Sequence, residues 1–457
     1  MTFGVRLNYG DGGNTLTVNT AFISLTSGAG ADRITLGIVV NGPTVNLGGG
    51  RDTLILANGS NRLTIAGVET LLGGTGADTI TFSAAASGAY ADLGAGADQI
   101  LLPNAANQIT IAQVETISGG AGNDVVTLAQ APPGFWADLG AGADRLRLMP
   151  GIGSVNFANV ETLAGSGGDD TITLVQAANG LVVDLLGGAD RLALAGGPNL
   201  VSVSGAETIS GGAGADSVTL LRSPADGFVD LGAGADRLSL SAEGHRIHLA
   251  GVETLLGGAG DDAVTLAAGA SGVRVELDAG RDTLTLGEGP NWVLVSGAEL
   301  LRGGAGDDRI TLLAPTQDAR LELGAGGDRV ELASGPNRLT LLHAETIVGG
   351  AGDDSVTIGV AQQGGWVDLG PGADVLWLPR GANALILAGV ETAVGGEGDD
   401  SLALASTVSG ALLDLGGGLD RVTLADGTNR ASLAGTETVI GGTGDDVITL
   451  LQPMAGG

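Results

Sequence analysis

Gly73-Gly-Thr-Gly-Ala-Asp78-Thr-Ile-Thr81 decides the fold, because it returns along the whole chain in fixed phase. We call this stretch loop A. A second glycine-rich loop, loop B, follows at Leu93-Gly-Ala-Gly-Ala-Asp98-Gln-Ile-Leu101. Loop A ends in Asp32, Asp78, Asp124, Asp170, Asp216, Asp262, Asp308, Asp354, Asp400 and Asp446. Loop B ends in Asp52, Asp98, Asp144, Asp190, Asp236, Asp282, Asp328, Asp374 and Asp420, with Asn14 in that place in the first, shortened unit. Successive aspartates are separated by 20 and then 26 residues, giving a 46-residue unit with no insertion between Asp32 and Asp446. Strict phase of this kind is the mark of stacked turns.

Between the loops, apolar and polar residues alternate with period two, as in Ile80 and Phe82 against Thr79 and Thr81. That is the pattern of a strand with one buried face, and glycine recurs too often for helix. Short strands between tight turns satisfy their backbone by pairing with the turns above and below. The expectation is an all-β, right-handed parallel β-solenoid resembling a β-roll, with about ten 46-residue repeats of two rungs each, running over residues 1–457 as a single continuous domain. At about 4.8 Å per rung, some twenty rungs would rise roughly 95 Å.

Composition agrees. Glycine supplies 84 of 457 residues, acids outnumber bases by 51 to 20, and cysteine is absent. Aromatics are only 3%, so the core is expected to be thin layers of Leu, Ile, Val and Ala. A net charge of -31 argues against nucleic-acid and anionic-lipid partners and for bound cations. No stretch approaches the roughly 20 apolar residues of a membrane helix, so no membrane insertion is expected. Residues 1–13 lack the basic and apolar regions of a signal peptide.

The loop glycines let the backbone curl its carbonyls to one side, and the aspartate adds a hard anionic oxygen. Oxygen donors without Cys or His suit calcium better than zinc or copper, and magnesium resists giving up its water. Stacking one carboxylate per rung also places like charges about 4.8 Å apart, a repulsion of roughly 3 to 4 kcal/mol per pair at an effective dielectric near 20. Capping of the turns by Asx hydrogen bonds without metal is the alternative.

At this point Gly-Gly-Ala-Gly-Asn-Asp-Val-Val-Thr at 119–127 and Gly-Gly-Ala-Gly-Asp-Asp at 257–262 resemble the RTX nonapeptide of haemolysin-type calcium-binding proteins. The resemblance implies Ca2+ ions in a row between stacked loops, held by the nineteen loop aspartates and backbone carbonyls, and folding on meeting calcium after type I secretion. Loop B departs from the motif, with Leu93, Leu139, Leu231, Leu323, Leu369 and Leu415 in place of the first glycine, so one loaded edge is expected.

Glu69 and its equivalents every 46 residues form another column. Alternation with Leu71 points them inward unless the chain bends at Gly67; there they could be calcium ligands or accept backbone hydrogen bonds at a corner. Asp92, Asp138, Asp184, Asp230, Glu276, Glu322, Asp368 and Asp414 read as a solvated acidic face. The three histidines, His245, His248 and His343, lie in no nucleophile motif, and paired carboxylates in every turn are uninformative, so no enzyme is expected.

Val5-Arg-Leu-Asn8-Tyr aligns with Ala89-Tyr-Ala-Asp92-Leu, and Val447 to Gly457 runs out near the same phase. The expectation drawn from this is an extracellular calcium-binding structural protein whose partner is itself, assembling head-to-tail into a filament. Alternatives are a stalk, surface-layer or adhesin segment binding a cell-surface or glycan partner, and the accessory repeat region of a larger secreted protein.

Overall fold

The computed structural model describes residues 5–152, 155–222, 226–267 and 269–451. Every regular element among them is a β-strand, and all pairings are parallel, giving a parallel β-solenoid. No helix is long and apolar enough to cross a membrane among the described residues. The fold separates into two compact units, Met1–Gly234 and Ala235–Gly457.

In the first unit, Arg62–Ala66, Thr79–Phe82, Gln99–Leu101, Thr116–Gly120 and Trp136–Gly140 are neighbours in one sheet. Thr53–Ile55, Thr70–Thr75, Ser87–Ala95, Gln108–Ala112 and Val125–Gln130 are neighbours in another. Successive strands of the chain therefore alternate between two sheets, two strands to a turn. The second unit repeats the scheme. Arg237–Leu240, Thr254–Leu256, Ser271–Glu276 and Trp292–Ser296 share one sheet, and Arg246–Ala250, Ala263–Leu266, Thr283–Thr285 and Leu300–Arg302 the other.

Alternation along each strand makes the core. Ile80, Ile100, Ile117 and Ala137 stack in register, each with no exposed surface, while Thr79 and Thr81 face outward and are half-buried. Each fully buried aliphatic side chain of Leu or Ile size contributes about 1.5–3 kcal/mol, so stability is spread evenly over the turns.

The register refines the expected winding. Arg62 pairs with Thr79 and Gln99 with Thr116, steps of 17 residues; Thr79 pairs with Gln99 and Thr116 with Trp136, steps of 20. The 26-residue interval from Asp98 to Asp124 is not one long turn, because it contains two compact corners, at Asn107 and Glu115, that carry no loop aspartate. Each 46-residue unit therefore has five corners and makes two and a half turns, against the two expected. The extra half turn sends successive sequence units to opposite edges.

Candidate metal centre

A turn closes at a corner only if the backbone groups there find partners, and side-chain carboxylates supply them from the next turn. The Asp78 N–H donates to Asp98 Oδ1 at 2.7 Å, and the Asp98 N–H donates to Glu115 Oε2 at 2.6 Å. Before them, Asn61 donates its backbone N–H to Asp78 Oδ1 at 2.8 Å. One edge of the first unit thus carries Asn61, Asp78, Asp98 and Glu115, followed by Asp170, Asp190 and Glu207. The other edge carries Asn14, Asp32, Asp52 and Glu69, then Asn107, Asp124, Asp144 and Glu161, then Asn199 and Asp216.

In the second unit one edge carries His245, Asp262, Asp282 and Glu299, then Asn337, Asp354, Asp374 and Glu391, then Asn429 and Asp446. The other carries Asp236 and Glu253, then Asn291, Asp308, Asp328 and Glu345, then Asn383, Asp400, Asp420 and Glu437. Loop aspartates were expected on one loaded edge; both edges carry them, out of step by one sequence unit, because of the half turn.

Eighteen of the nineteen loop aspartates are at most 2% exposed, the exception being the half-buried Asp446. At Asp52, Asp78, Asp98, Asp144, Asp354 and Asp374, among others, Oδ1 is spent on the hydrogen bond from the preceding turn. Oδ2 is buried and has no partner at Asp52, Asp78, Asp98, Asp124, Asp144, Asp190, Asp282, Asp308, Asp328, Asp354, Asp374 and Asp420. An unpaired carboxylate oxygen removed from water is costly, and it is the kind of hard donor that calcium takes.

Burial pushes the carboxyls of Asp98, Asp282, Asp328, Asp374 and Asp420 up to about 6; the N–H from the preceding aspartate works against this, and the neighbouring aspartate and glutamate add to it. Burial likewise raises Asp52, Asp78, Asp124, Asp144, Asp190, Asp262 and Asp400. Asp32 is the contrast. Burial acts on it too, but the Ser27 hydroxyl on Oδ2 and the Asn14 N–H groups outweigh it and hold the carboxyl below its ordinary range.

Among the described residues no three acidic or histidine side chains gather around one point. A cation at these corners would therefore combine one or two carboxylates with backbone carbonyls. The stacked loops bring such carbonyls close: a Cβ on Gly94, whose φ is +83°, would lie 2.2 Å from the carbonyl oxygen of Gly74 one turn earlier.

The glutamate column takes the corner role left open by the sequence. The chain bends at Gly67, with φ +60°, and Glu69 is half-buried at the edge, its Oε2 accepting from Asp52 N at 2.8 Å. The acidic face at Asp92 is less solvated than expected: Asp414 is 6% exposed, and Asp138, Asp230 and Asp368 each accept the N–H of the loop B glycine two residues on. The asparagine corners went unread, although Gly59-Ser-Asn61, Gly335-Pro-Asn337 and Gly427-Thr-Asn429 recur in phase. Asn14 belongs to this column and not to loop B, since its N–H and Nδ2 both donate to Asp32 Oδ1.

Residues 65–81, 113–128, 157–174, 202–220, 249–270, 295–313, 342–357 and 433–450 match the RTX calcium-binding nonapeptide repeat family, described as four copies. The chain carries RTX calcium-binding nonapeptide repeats. Each RTX match runs from the glutamate corner or just before it through loop A, and loop B lies outside all eight. That division follows the sequence departure of loop B, whose aspartates nonetheless occupy the same ladders as those of loop A. A search of curated proteins gave no match to the chain.

Proposed function

We propose that calcium completes the aspartate ladders of this RTX solenoid, and that the protein is an extracellular, non-catalytic structural element whose rigidity depends on the ion. The observation that carries this reading is the series of buried aspartate Oδ2 atoms without partners, at both loop A and loop B, on both edges. Hard oxygens, a net charge of -31 and the lack of cysteine favour calcium over softer metals. Isothermal titration calorimetry of the chain, stripped with EGTA, tests it: saturable calcium binding at several sites is expected, with magnesium far weaker. Absence of calcium heat together with no calcium in mass spectra of the intact protein would overturn it.

Secretion by a type I-like route is the reading that the RTX repeats support, and fractionation of the producing cells should place the protein in the medium or on the cell surface. Head-to-tail assembly is the finer part of the proposal. The expectation was drawn from the phase of the ends, and residues 1–4 and 452–457 lie outside the described residues. What supports assembly is the regular strand register, which a second copy would continue. Negative-stain images in calcium are expected to contain filaments; uniformly single particles at all concentrations would remove assembly and leave the calcium reading standing, and glycan or cell-surface binding by those particles would favour a stalk or adhesin.

A further inference from the structure

The asparagine corners show what the aspartate corners need. Asn337 Nδ2 donates to the carbonyls of Ala333 and Gly335 in its own loop, both at 2.8 Å, and to Asp354 Oδ1 at 2.9 Å. Its Oδ1 accepts from Thr316 N on the preceding turn at 3.2 Å. Asn61, Asn199, Asn291 and Asn383 repeat this set, the amide reaching the carbonyls four and two residues back in every case. Asparagine and aspartate have the same shape, and at Asp354 and Asp374 the Oδ1 again accepts the preceding turn's N–H. The atom that replaces the donating Nδ2 is then Oδ2, buried and without a partner.

Two aspartates confirm that the second atom's need is what varies. At Asp32 the Ser27 hydroxyl reaches Oδ2, and at Asp170 the Ser166 N–H donates to Oδ2 at 2.8 Å. Neither oxygen is orphaned. His245, in the asparagine column, likewise keeps the backbone bond to Asp262 Oδ1 and sets its ring Nε2 3.0 Å from Ser241 Oγ, four residues back.

We propose that the asparagine corners are built-in blanks in the calcium rows: the carboxamide Nδ2 takes the part that a bound calcium ion plays at an aspartate corner. Calcium is then confined to separate two-turn clusters, such as Asp354 with Asp374 and Asp308 with Asp328, which an asparagine corner precedes and a glutamate corner follows. The rows are interrupted rather than continuous. Each blank turn is held by its own amide hydrogen bonds, so it needs no ion to close.

This inference rests on the calcium reading above, and the test separates the two. Calcium bound per chain is counted by native mass spectrometry and calorimetry for the wild type, Asn337→Asp and Asp374→Asn. Asn337→Asp should bind one more calcium ion than the wild type, melt lower in EGTA because the amide donors are lost, and recover in calcium. Asp374→Asn should lose calcium from its own cluster only. An Asn337→Asp chain with an unchanged count overturns the proposal, as does one that stays unfolded in saturating calcium, because the ion is required to substitute for the amide. Asn61→Asp, in the other unit, repeats the measurement in an independent background and must give the same gain. A wild type that binds no calcium would instead sink the calcium reading itself.

Discussion

Asp98 has two jobs that substitution can separate. Its Oδ1 holds the Asp78 N–H, while its Oδ2 is orphaned. Asp98→Ala removes both and leaves a buried N–H unpaired, so it should destabilise the chain by about 1–3 kcal/mol with or without calcium. Asp98→Asn keeps the acceptor and replaces the orphan by a donor, as at Asn61; its melting temperature in EGTA should exceed the wild type's, while the calcium-induced rise shrinks. Thermal melts of the three chains in EGTA and in calcium check both directions.

The same carboxyls set a pH dependence. Their folded-state values, near 6 for Asp98, Asp282, Asp328, Asp374 and Asp420, lie above the ordinary 3.8. The folded chain therefore binds more protons than the unfolded chain between these values, and stability falls as pH rises. The penalty is complete above about pH 6 and gone below the unfolded value. In EGTA the protein should melt higher at pH 5 than at pH 7.5, and the stabilisation by calcium, which needs the ionised form, should be larger at pH 7.5. Melts that fall with acid across this window in EGTA would contradict the burial of unpaired carboxylates.

At the scale of the turn, close stacking of loops makes some glycines irreplaceable and others not. Gly94 has positive φ and would place a Cβ 2.2 Å from the Gly74 carbonyl oxygen, whereas Gly49 has open space around it. Gly94→Ala should cost several kcal/mol through clash and strain, and Gly49→Ala should be near neutral or slightly stabilising. Urea unfolding of the two variants is the check.

This is also the scale at which the sequence was only partly legible. Loop A and loop B announce themselves because glycines and aspartate recur together, and the strand period gives the buried faces of Ile80 and Ile100 directly. Asn61 and Glu69 make corners without a Gly-Gly loop, so the turns they close are invisible to a search for loops. Hence the interval from Asp98 to Asp124 reads as one long turn when it holds one and a half. The direction of Glu69 depends on a single bend at Gly67, which alternation cannot foresee.

At the scale of the molecule, much of the acidic excess of a chain with net charge -31 lies in carboxylate ladders on two edges of each unit. Each turn has little apolar core, so unpaired buried carboxylates weigh heavily against folding, and a ligand that binds only the folded chain shifts the balance by mass action. A ladder of several such sites makes that shift large even when each site is weak.

The most direct test is thermal unfolding followed by far-ultraviolet circular dichroism, in EGTA, in millimolar magnesium and in millimolar calcium at the same ionic strength. The ladders predict β-structure that is weak or lost in EGTA, little changed by magnesium, and strongly stabilised by calcium. Superimposable melting curves in EGTA and calcium would contradict the claim that the orphaned aspartate oxygens await the ion.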